Sequence, residues 1–497
     1  MIRHDHSHLF FTSQGTCQDM DRSPNSTINH LPDEVLLEVF DSYRQGGQSS
    51  YQWRKKHAWF NLAHVCRRWR AVVFASSSRL DLNITVGPEN KGRMKTMLSG
   101  RLPILIDYYS GDLREPISAI TGSALRRMRA VLRHHDRVRG ISFGALDVEN
   151  FISAANYHFP ALESLALGFS YGQELDIPAT FLRGPDQSDL RLRRLRLYGP
   201  SLTSVTGLLL SATALTDLTL ADSPVYDCSQ GPLLLACLQG MQCLRSLDLS
   251  IPHVPRGFKA QHSTPKDIVS LLKLTRFHYD GSTIFLNYVM SGLSAPSLQN
   301  VYFEFCDSSR TSPFLYLSRV IDDLREEFRS ISVKFDLDNF CLLSWTHLGK
   351  IDYSKPSLWF NMRRSPDSIK SINSMPPTKF AMVEELALYF NSSNIHVFTL
   401  REFLRQFCSV RALLVDPFMR EVGLYLQHDV RGGILPVLEK IELSNLRLTG
   451  CLTGCSDEEY RRYVAQAIAA FESFVSSRER AGRRVKVSLC ERRGLRL

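Results

Sequence analysis

LRRLRLY, residues 192–198, is the stretch that decides the fold. Its leucines follow the pattern apolar-x-x-apolar-x-apolar, and the last two alternate with arginine as in a half-buried strand. The same pattern recurs along most of the chain, with aromatic or branched residues in place of some leucines. The copies begin at Val138, Leu162, Leu192, Leu215, Leu244, Leu274, Leu298, Phe328, Val383, Val410 and Leu438.

The period of these copies indicates the architecture. Successive copies start 23 to 30 residues apart, except for one interval of 55 residues between Phe328 and Val383. That interval fits two periods, with SLWFNM at residues 357–362 as the copy between them. A period of this size is typical of leucine-rich repeats, whose units must stack because one unit cannot bury both of its flanks. We therefore predict an α/β fold, an irregular leucine-rich-repeat solenoid in which a curved parallel sheet carries outer helices.

The segments between copies support one strand and one outer segment per unit. Pro160, Pro296 and Pro436 each stand two residues before a copy, where proline ends the outer segment and favours extended geometry in the residue before it. Residues 148–159, 282–293 and 400–410 carry apolar residues at helical spacing.

Both ends of the predicted array have segments that can close it. Alternating apolar residues predict strands at 79–86 and 102–109. At the other end, Ser456 and Glu459 form a capping-box pattern before a long amphipathic helix, and VKVSL at 485–489 predicts a last strand.

Within each strand, residues that alternate with the buried positions should line the concave face. Aromatic residues and arginine are frequent at interaction hot spots, and this face contains several. The candidate target-binding residues are Arg194, Arg196, Tyr198, Asp248, Arg276, His278, Tyr302, Glu304, Trp359, Tyr389, Lys440 and Glu442. A solvated sheet face of mixed polarity and no partner is the alternative reading.

Two phrases near the N-terminus predict short amphipathic helices. In HLPDEVLLEVF (30–40) and the residues after it, Leu36, Val39, Phe40 and Tyr43 share one helical face. WRKKHAWFNLAHVCRRWRAVVF (53–74) repeats the pattern. Its apolar stripe is Leu62, Val65, Cys66, Trp69 and Val73, with Arg67, Arg68 and Arg70 predicted to point away. Two helices of this size are too small to be stable alone, so we expect them to need a partner.

L-P-x-E-x-L followed by V-x-x-F, and then L-x-x-V-C-R-x-W-R, resembles an F-box, most closely in the large fungal, basidiomycete branch of that family. The resemblance implies docking on the Skp-type adaptor of cullin-RING ubiquitin ligases. The implied adaptor-binding residues are Leu31, Pro32, Glu34, Leu36, Phe40, Leu62, Val65, Cys66 and Trp69. The segment between the phrases is longer than is usual in the family and carries Trp53 and Trp59. An unrelated helical hairpin is the alternative.

These features divide the chain into five predicted parts. We expect a disordered tail at 1–28, an F-box at 29–76 and a connecting and capping segment at 77–137. The repeats should follow at 138–455, and 456–497 should form a capping helix, a strand and a basic tail.

Composition narrows the class of protein. A hydrophobic fraction of 44% and a charged fraction of 22% are ordinary for globular chains, and no apolar run reaches the length of a membrane span. The start has no signal-peptide core, so we expect a cytoplasmic or nuclear protein whose eleven cysteines are reduced. The net charge of +10 is uneven, because residues 476–497 hold eight Arg or Lys against two Glu.

A search for chemistry finds weak candidates only. His4, His6 and His8 lie in the predicted tail, Cys451 and Cys455 form an isolated C-x-x-x-C, and Ser263 and Lys266 form an isolated S-x-x-K. His134, His135 and Asp136 have no nucleophile beside them in sequence. We therefore expect no enzyme activity, no metal and no cofactor.

The leading hypothesis is a substrate-recognition subunit that docks on the adaptor, and through it on a cullin, and binds an unknown protein target through its repeats. One alternative is a repeat scaffold that uses the F-box helices for assembly without ubiquitin. Another is a nucleic-acid-associated factor that uses the basic tail with Arg194 and Arg196. Nucleic acid is the less favoured partner, and no membrane partner is expected.

Overall fold

The computed structural model describes a large part of the chain. The described residues are 31–45, 62, 65–76, 82–85, 103–108, 122–146, 157–169, 177, 181, 191–223, 230–251, 267–305, 324, 328–335, 339–345, 358–363, 377–390, 397–415, 422–423, 426, 433–444 and 457–490. They divide into two compact units, residues 1–83 and 84–497, each of which is described by itself.

Helices occur in both units. They are α1 (Asp33–Gln45), α2 (Arg67–Ala75), α3 (Gly122–Leu132), α4 (Leu202–Ser211), α5 (Gln230–Gln239), α6 (Thr283–Ser291), α7 (Pro377–Ala381), α8 (Val397–Leu404) and α9 (Asp457–Arg480). Within the described residues, no helix combines the length and the apolar character that a membrane crossing requires.

The described strands match the predicted copies and add several others. They are β1 (Leu82–Thr85), β2 (Ile104–Tyr108), β3 (Val138–Leu146), β4 (Ser164–Phe169), β5 (Arg194–Tyr198), β6 (Asp217–Ala221), β7 (Ser246–Ile251), β8 (Val269–Ser270), β9 (Arg276–Gly281), β10 (Leu293–Ser294), β11 (Asn300–Phe305), β12 (Ser330–Phe335), β13 (Asn339–Trp345), β14 (Leu358–Arg363), β15 (Glu385–Phe390), β16 (Ala412–Val415), β17 (Lys440–Ser444) and β18 (Lys486–Cys490).

Sixteen of these strands form one sheet, in the order β1-β2-β3-β4-β5-β6-β7-β9-β11-β14-β13-β12-β15-β16-β17-β18. The register places the leucines of the repeat beside one another across parallel strands. Leu165 pairs with Leu195, Leu195 with Leu218, and Leu218 with Leu247. These four residues are at most 1% exposed, so the repeat builds a continuous ladder in the core. The predicted α/β class with a parallel sheet is confirmed.

The sheet departs from the simple stacking that the sequence predicts. The copy at 357–362 does form a strand, β14, but β14 pairs with β11, whereas β12 pairs with β15. Between them lies β13, which is antiparallel to both neighbours. Only three residues separate Phe335 from Asn339, a length that permits an antiparallel hairpin but no crossover to a parallel strand. The chain therefore skips two strand positions after β11 and returns through β13.

Outer helices pack on the central strands. α4 begins after Ser201, whose side chain accepts a hydrogen bond from the Ser204 N–H at 3.3 Å, and α6 begins after Ser282 in the same way. Leu208 of α4, Leu234 of α5 and Leu286 of α6 are at most 1% exposed. These helices supply the second layer over the leucine ladder.

Both ends of the sheet carry the strands that the sequence predicts there. β1 and β2 precede the first repeat strand in the sheet order, and β18 pairs in parallel with β17. The long helix α9 lies between β17 and β18 in sequence and buries Phe471 and Phe474. The last repeat strand, β17, is therefore paired on both sides and is not an edge strand.

Gly281 lies where β9 closely approaches β7, so replacing it tests the register of these two strands. Gly281 ends β9 with φ +153°, and a Cβ there would lie 2.4 Å from the carbonyl oxygen of Ile251 on β7. We expect Gly281→Ala to lower the free energy of unfolding by about 2–3 kcal/mol, measured as a lower urea midpoint. Gly240→Ala is the matched control, because its Cβ would meet nothing closer than 3.7 Å. Equal midpoints for the two variants would contradict the register.

Candidate interaction surfaces

The N-terminal helix pair has a small core of its own. Leu36 and Phe40 of α1 are fully buried, with Leu62, Val72 and Val73 packed around them. The ring of Phe40 lies 4.7 Å from that of Trp69, centroid to centroid, at an interplanar angle of 56°. The two phrases of the sequence therefore fold against each other, as their apolar patterns predict.

Cys66 determines where α2 begins. Its backbone is extended, and its Sγ accepts a hydrogen bond from the Trp69 N–H at 3.4 Å, so Cys66 is the N-cap and Arg67 the first helical residue. The predicted stripe from Leu62 to Val73 is consequently not one continuous helical face. Cys66 therefore caps the N-terminus of α2.

Arg68 corrects one part of the sequence prediction. We expected this arginine to point away from the helix pair, but it returns to the start of α1. Its Nη2 donates to the Leu31 carbonyl and forms an ion pair with Asp33 Oδ1 at 2.8 Å. Helical periodicity placed Arg68 on the polar face, although its long side chain can reach a neighbouring helix end. Arg68 of α2 therefore binds the start of α1 beside the core that the two helices share.

The predicted adaptor-binding residues divide into buried and accessible groups. Leu36, Phe40 and Leu62 are at most 7% exposed, so they act by holding the helices and cannot form a contact surface in the free chain. Leu31, Cys66 and Trp69 are half-buried. The accessible members are Pro32, Glu34 and Val65.

Helix α1 has a second apolar face, which helical periodicity alone does not distinguish from the buried one. Val35, Val39 and Tyr43 are spaced four residues apart, and 39%, 44% and 55% of their surfaces are exposed. Val65, at 59%, is also exposed. Residues four apart in a helix lie above one another, so the first three form a continuous row. We name Val35, Val39 and Tyr43 the apolar row. Trp53 and Trp59 lie outside the described residues.

The predicted concave face corresponds to the sheet positions that alternate with the leucine ladder. On β5, burial alternates strictly, and Arg194, Arg196 and Tyr198 are exposed. Parallel register brings them beside Ser164, Ala166 and Gly168 of β4 on one side and Asp217, Thr219 and Ala221 of β6 on the other. The strands thus present the residues that the repeat pattern assigned to this face.

A connected polar network crosses β7, β9 and β11 on the same face. Nδ1 of His278 lies 2.7 Å from Asp248 Oδ1, and the His278 ring stands edge-on to Tyr302 at 4.2 Å. The Tyr302 hydroxyl donates to Glu304 Oε2 at 3.0 Å. Burial, reinforced by the charge of Glu304, raises the pKa of Tyr302 above its usual range and keeps the hydroxyl as a donor. These side chains hold one another in place.

Other predicted residues of this face are paired or lie outside what can be described. Arg276 forms an ion pair with Asp217 at 3.5 Å, and Lys440 pairs with Glu442 on β17. The side chains of Trp359 and Tyr389 are outside the described set. At β15 and β16 the corresponding positions, Ala387 and Leu414, are only 2% and 6% exposed. The accessible part of the face near its centre therefore runs from β5 to β11.

The weak chemical candidates gain no support. His135 stacks on Tyr157 at 5.3 Å and its Nδ1 lies 2.7 Å from the His158 carbonyl oxygen, which is a packing role. Among the described residues no group of three His, Cys, Asp or Glu side chains is placed to hold a metal. His4, His6, His8, Ser263, Lys266, Cys451 and Cys455 lie outside the described residues.

Comparison with known proteins identifies one domain near the N-terminus. Residues 28–79 match the sequence model of the family described as F-box-like, a domain that in general binds Skp-type adaptors. No curated protein matches the sequence.

Two solved structures are among those that match part of the chain. The leucine-rich repeat-containing protein LegL7 from Legionella pneumophila is 13% identical, with 66% of this chain and 86% of that chain covered and a TM-score of 0.30. An internalin, InlF, from Listeria monocytogenes is 12% identical, with 70% and 82% covered and a TM-score of 0.24. The chain therefore carries an F-box-like domain at residues 28–79.

Proposed function

We propose that this chain is the substrate-recognition subunit of a Skp-cullin-F-box type ubiquitin ligase. The observation that carries the proposal is the apolar row on the F-box-like domain. The side chains of Val35, Val39 and Tyr43 are exposed to solvent, although the same helix buries Leu36 and Phe40 on its other side. Contiguous exposed apolar side chains rimmed by charged ones are typical of a protein-binding surface. A Skp-type adaptor is the partner that such a domain in general binds.

The repeats supply the other half of the proposed function. The polar face from β5 to β11 receives a target protein, and the F-box-like domain connects that target to the cullin through the adaptor. The chain itself performs no bond chemistry and needs no cofactor. Its contribution is proximity, because tethering raises the effective concentration of the target's lysines near the activated ubiquitin. The sites of action are the cytoplasm and the nucleus.

Co-purification with a Skp-type adaptor and a cullin tests the proposal. We expect the full chain to retain both proteins, and the combined change Leu31→Ala, Pro32→Ala and Trp69→Ala to remove them. Trp69 packs on Phe40, and the side chain of Leu31 packs against the same small core, so these changes disturb the support of the apolar row. Thermal melting of the repeats should stay unchanged and serves as the control.

Two results would count against the proposal in different ways. Failure of the unaltered chain to retain the adaptor would exclude the ubiquitin-ligase function. Retention of the adaptor without a cullin would favour an assembly role that is unconnected with ubiquitin.

A further inference from the structure

We propose that β5 and its neighbours on the polar face bind an acidic, extended peptide segment with two carboxylates two residues apart, followed by an apolar residue. The proposal rests on the function proposed above, in which this face receives the target, and it specifies the chemistry of the bound segment. Arg194, Arg196 and Tyr198 would contact the three side chains in that order.

Uncompensated positive charge is concentrated at this one strand. Arg191, Arg193, Arg194 and Arg196 are all exposed, and none has a side-chain hydrogen bond or ion pair within the described structure. The basic side chains of β9 differ, because Arg276 pairs with Asp217 and the His278 ring contacts Asp248. Asp217 lies beside Arg194 in register, yet its carboxylate is engaged with Arg276. β5 is therefore the part of this face that offers unpaired guanidinium groups.

The strands beside β5 leave these groups accessible. Ser164, Ala166 and Gly168 on β4 have side chains too short to cover a guanidinium. Thr219 and Ala221 on β6 are short as well. Arg194 and Arg196 are consequently flanked by a low, flat surface on which a peptide backbone can lie.

The spacing of the arginines selects the spacing of the anions. Arg194 and Arg196 are alternate residues of one strand, so their Cα atoms are about 7 Å apart. Alternate side chains of an extended peptide are separated by the same distance. Two carboxylates two residues apart can thus each meet one guanidinium, and a planar guanidinium binds a carboxylate through two parallel hydrogen bonds.

Tyr198 completes the pattern one position further along. It is the next outward residue of β5, and 41% of its surface is exposed. An exposed tyrosine offers an apolar ring face at a small entropic cost, which favours contact with an apolar residue of the ligand. The predicted segment is therefore acidic-x-acidic-x-apolar.

The same observations disfavour a nucleic acid on this face. Binding to a phosphate backbone uses several contacts along a continuous basic track. Here the unpaired arginines lie on β5 and in the three residues before it, and the next strands toward β11 present Asp217, Asp248 and Asp280. A short anionic segment fits this narrow positive area better than a polyanion does.

Fluorescence anisotropy with labelled peptides on the full chain tests the proposal. The probe has the order glutamate, serine, glutamate, serine, phenylalanine between glycines, and the comparison peptide places its two glutamates next to each other. We expect the probe to bind the unaltered chain more tightly than the comparison peptide. Arg194→Ala with Arg196→Ala should weaken binding at least about tenfold, since each loses a charge-assisted hydrogen bond.

Arg191→Ala with Arg193→Ala is the matched control, because it removes the same charge from the residues that precede the strand. Binding within twofold of the unaltered chain is expected for this control. Equal losses in the two double variants, or equal affinity for the two peptides, would overturn the proposal. So would binding that is confined to a phosphoserine version of the probe or to a single-stranded oligonucleotide. Adaptor co-purification is measured separately, so its failure would count against the proposed function and not against this peptide site.

Discussion

Replacing Val39 with aspartate is expected to abolish co-purification with a Skp-type adaptor and to leave the melting temperature of the chain unchanged. Val39 is 44% exposed in the middle of the apolar row, so the new carboxylate remains in water in the free chain. In the complex it would be buried without a partner. An unpaired buried charge costs about 3–5 kcal/mol, which corresponds to a loss of affinity between about 150-fold and several thousandfold.

Leu210→Asp provides the matched control for this change. Leu210 is an apolar residue of α4 with 54% exposure, and it lies in the repeat unit, not in the F-box-like domain. We expect this variant to retain the adaptor fully. Adaptor binding by Val39→Asp at the level of the unaltered chain would show that the apolar row is not the docking surface.

Replacing Arg478 with alanine is expected to release the C-terminal cap of the sheet. Arg478 is 4% exposed, and its Nη2 donates to the carbonyl oxygens of Ile434 at 2.5 Å and Leu435 at 3.3 Å. Its guanidinium also lies 5.1 Å from the ring centroid of Phe474. Removing Arg478 takes away these charge-assisted bonds and the contact with Phe474, so we expect the free energy of unfolding to fall by about 3 kcal/mol.

Amide hydrogen exchange measures this effect where it should occur. In Arg478→Ala the amides of β18 should exchange faster, because α9 loses the bonds from Arg478 to the carbonyls of residues 434–436, which precede β17. The amides of β5 to β7 should keep their protection. Arg480→Ala is the control, since Arg480 is exposed and bonds only to the Ser476 carbonyl within its own helix. Equal protection of β18 in both variants would show that Arg478 is not required for the cap.

The repeat architecture could be predicted from the sequence because one physical rule governs every unit. Side chains alternate across a strand, so the pattern around Leu195 and Leu197 fixes both the buried ladder and the exposed arginines. The same rule identified Arg276, His278 and Tyr302 as neighbours on the polar face. It could not show that Asp217 prefers Arg276 to Arg194, since that choice depends on side-chain conformation.

The strand exchange at β12 to β14 could not be predicted from the repeat pattern. The copy that begins at Phe328 and the copy SLWFNM both show the repeat pattern. That pattern does not determine which strands pair with each other in the sheet. The additional strand β13 buries Leu342, but its sequence lacks the repeat pattern, so the repeat pattern does not predict it. The short link after Phe335 was the available signal, because only an antiparallel return fits it.

The helix pair shows a similar limit. Leu36, Val39, Phe40 and Tyr43 satisfy one helical period, yet the structure divides them between the core and the surface. A wide apolar face is compatible with burial on either half, and periodicity alone does not say which half meets Trp69. Arg68 was misplaced for the same reason, since its partners Leu31 and Asp33 belong to the other helix.

The central claim is that the chain docks through its F-box-like domain and leaves the polar face of the sheet available for a target. Hydrogen–deuterium exchange of the full chain, with and without a Skp-type adaptor, tests both parts in one measurement. The account predicts slower exchange in α1 and α2 when the adaptor is present, and unchanged exchange in β5 to β11. Unchanged exchange in α1, or protection of β5 to β11 by the adaptor, would contradict it.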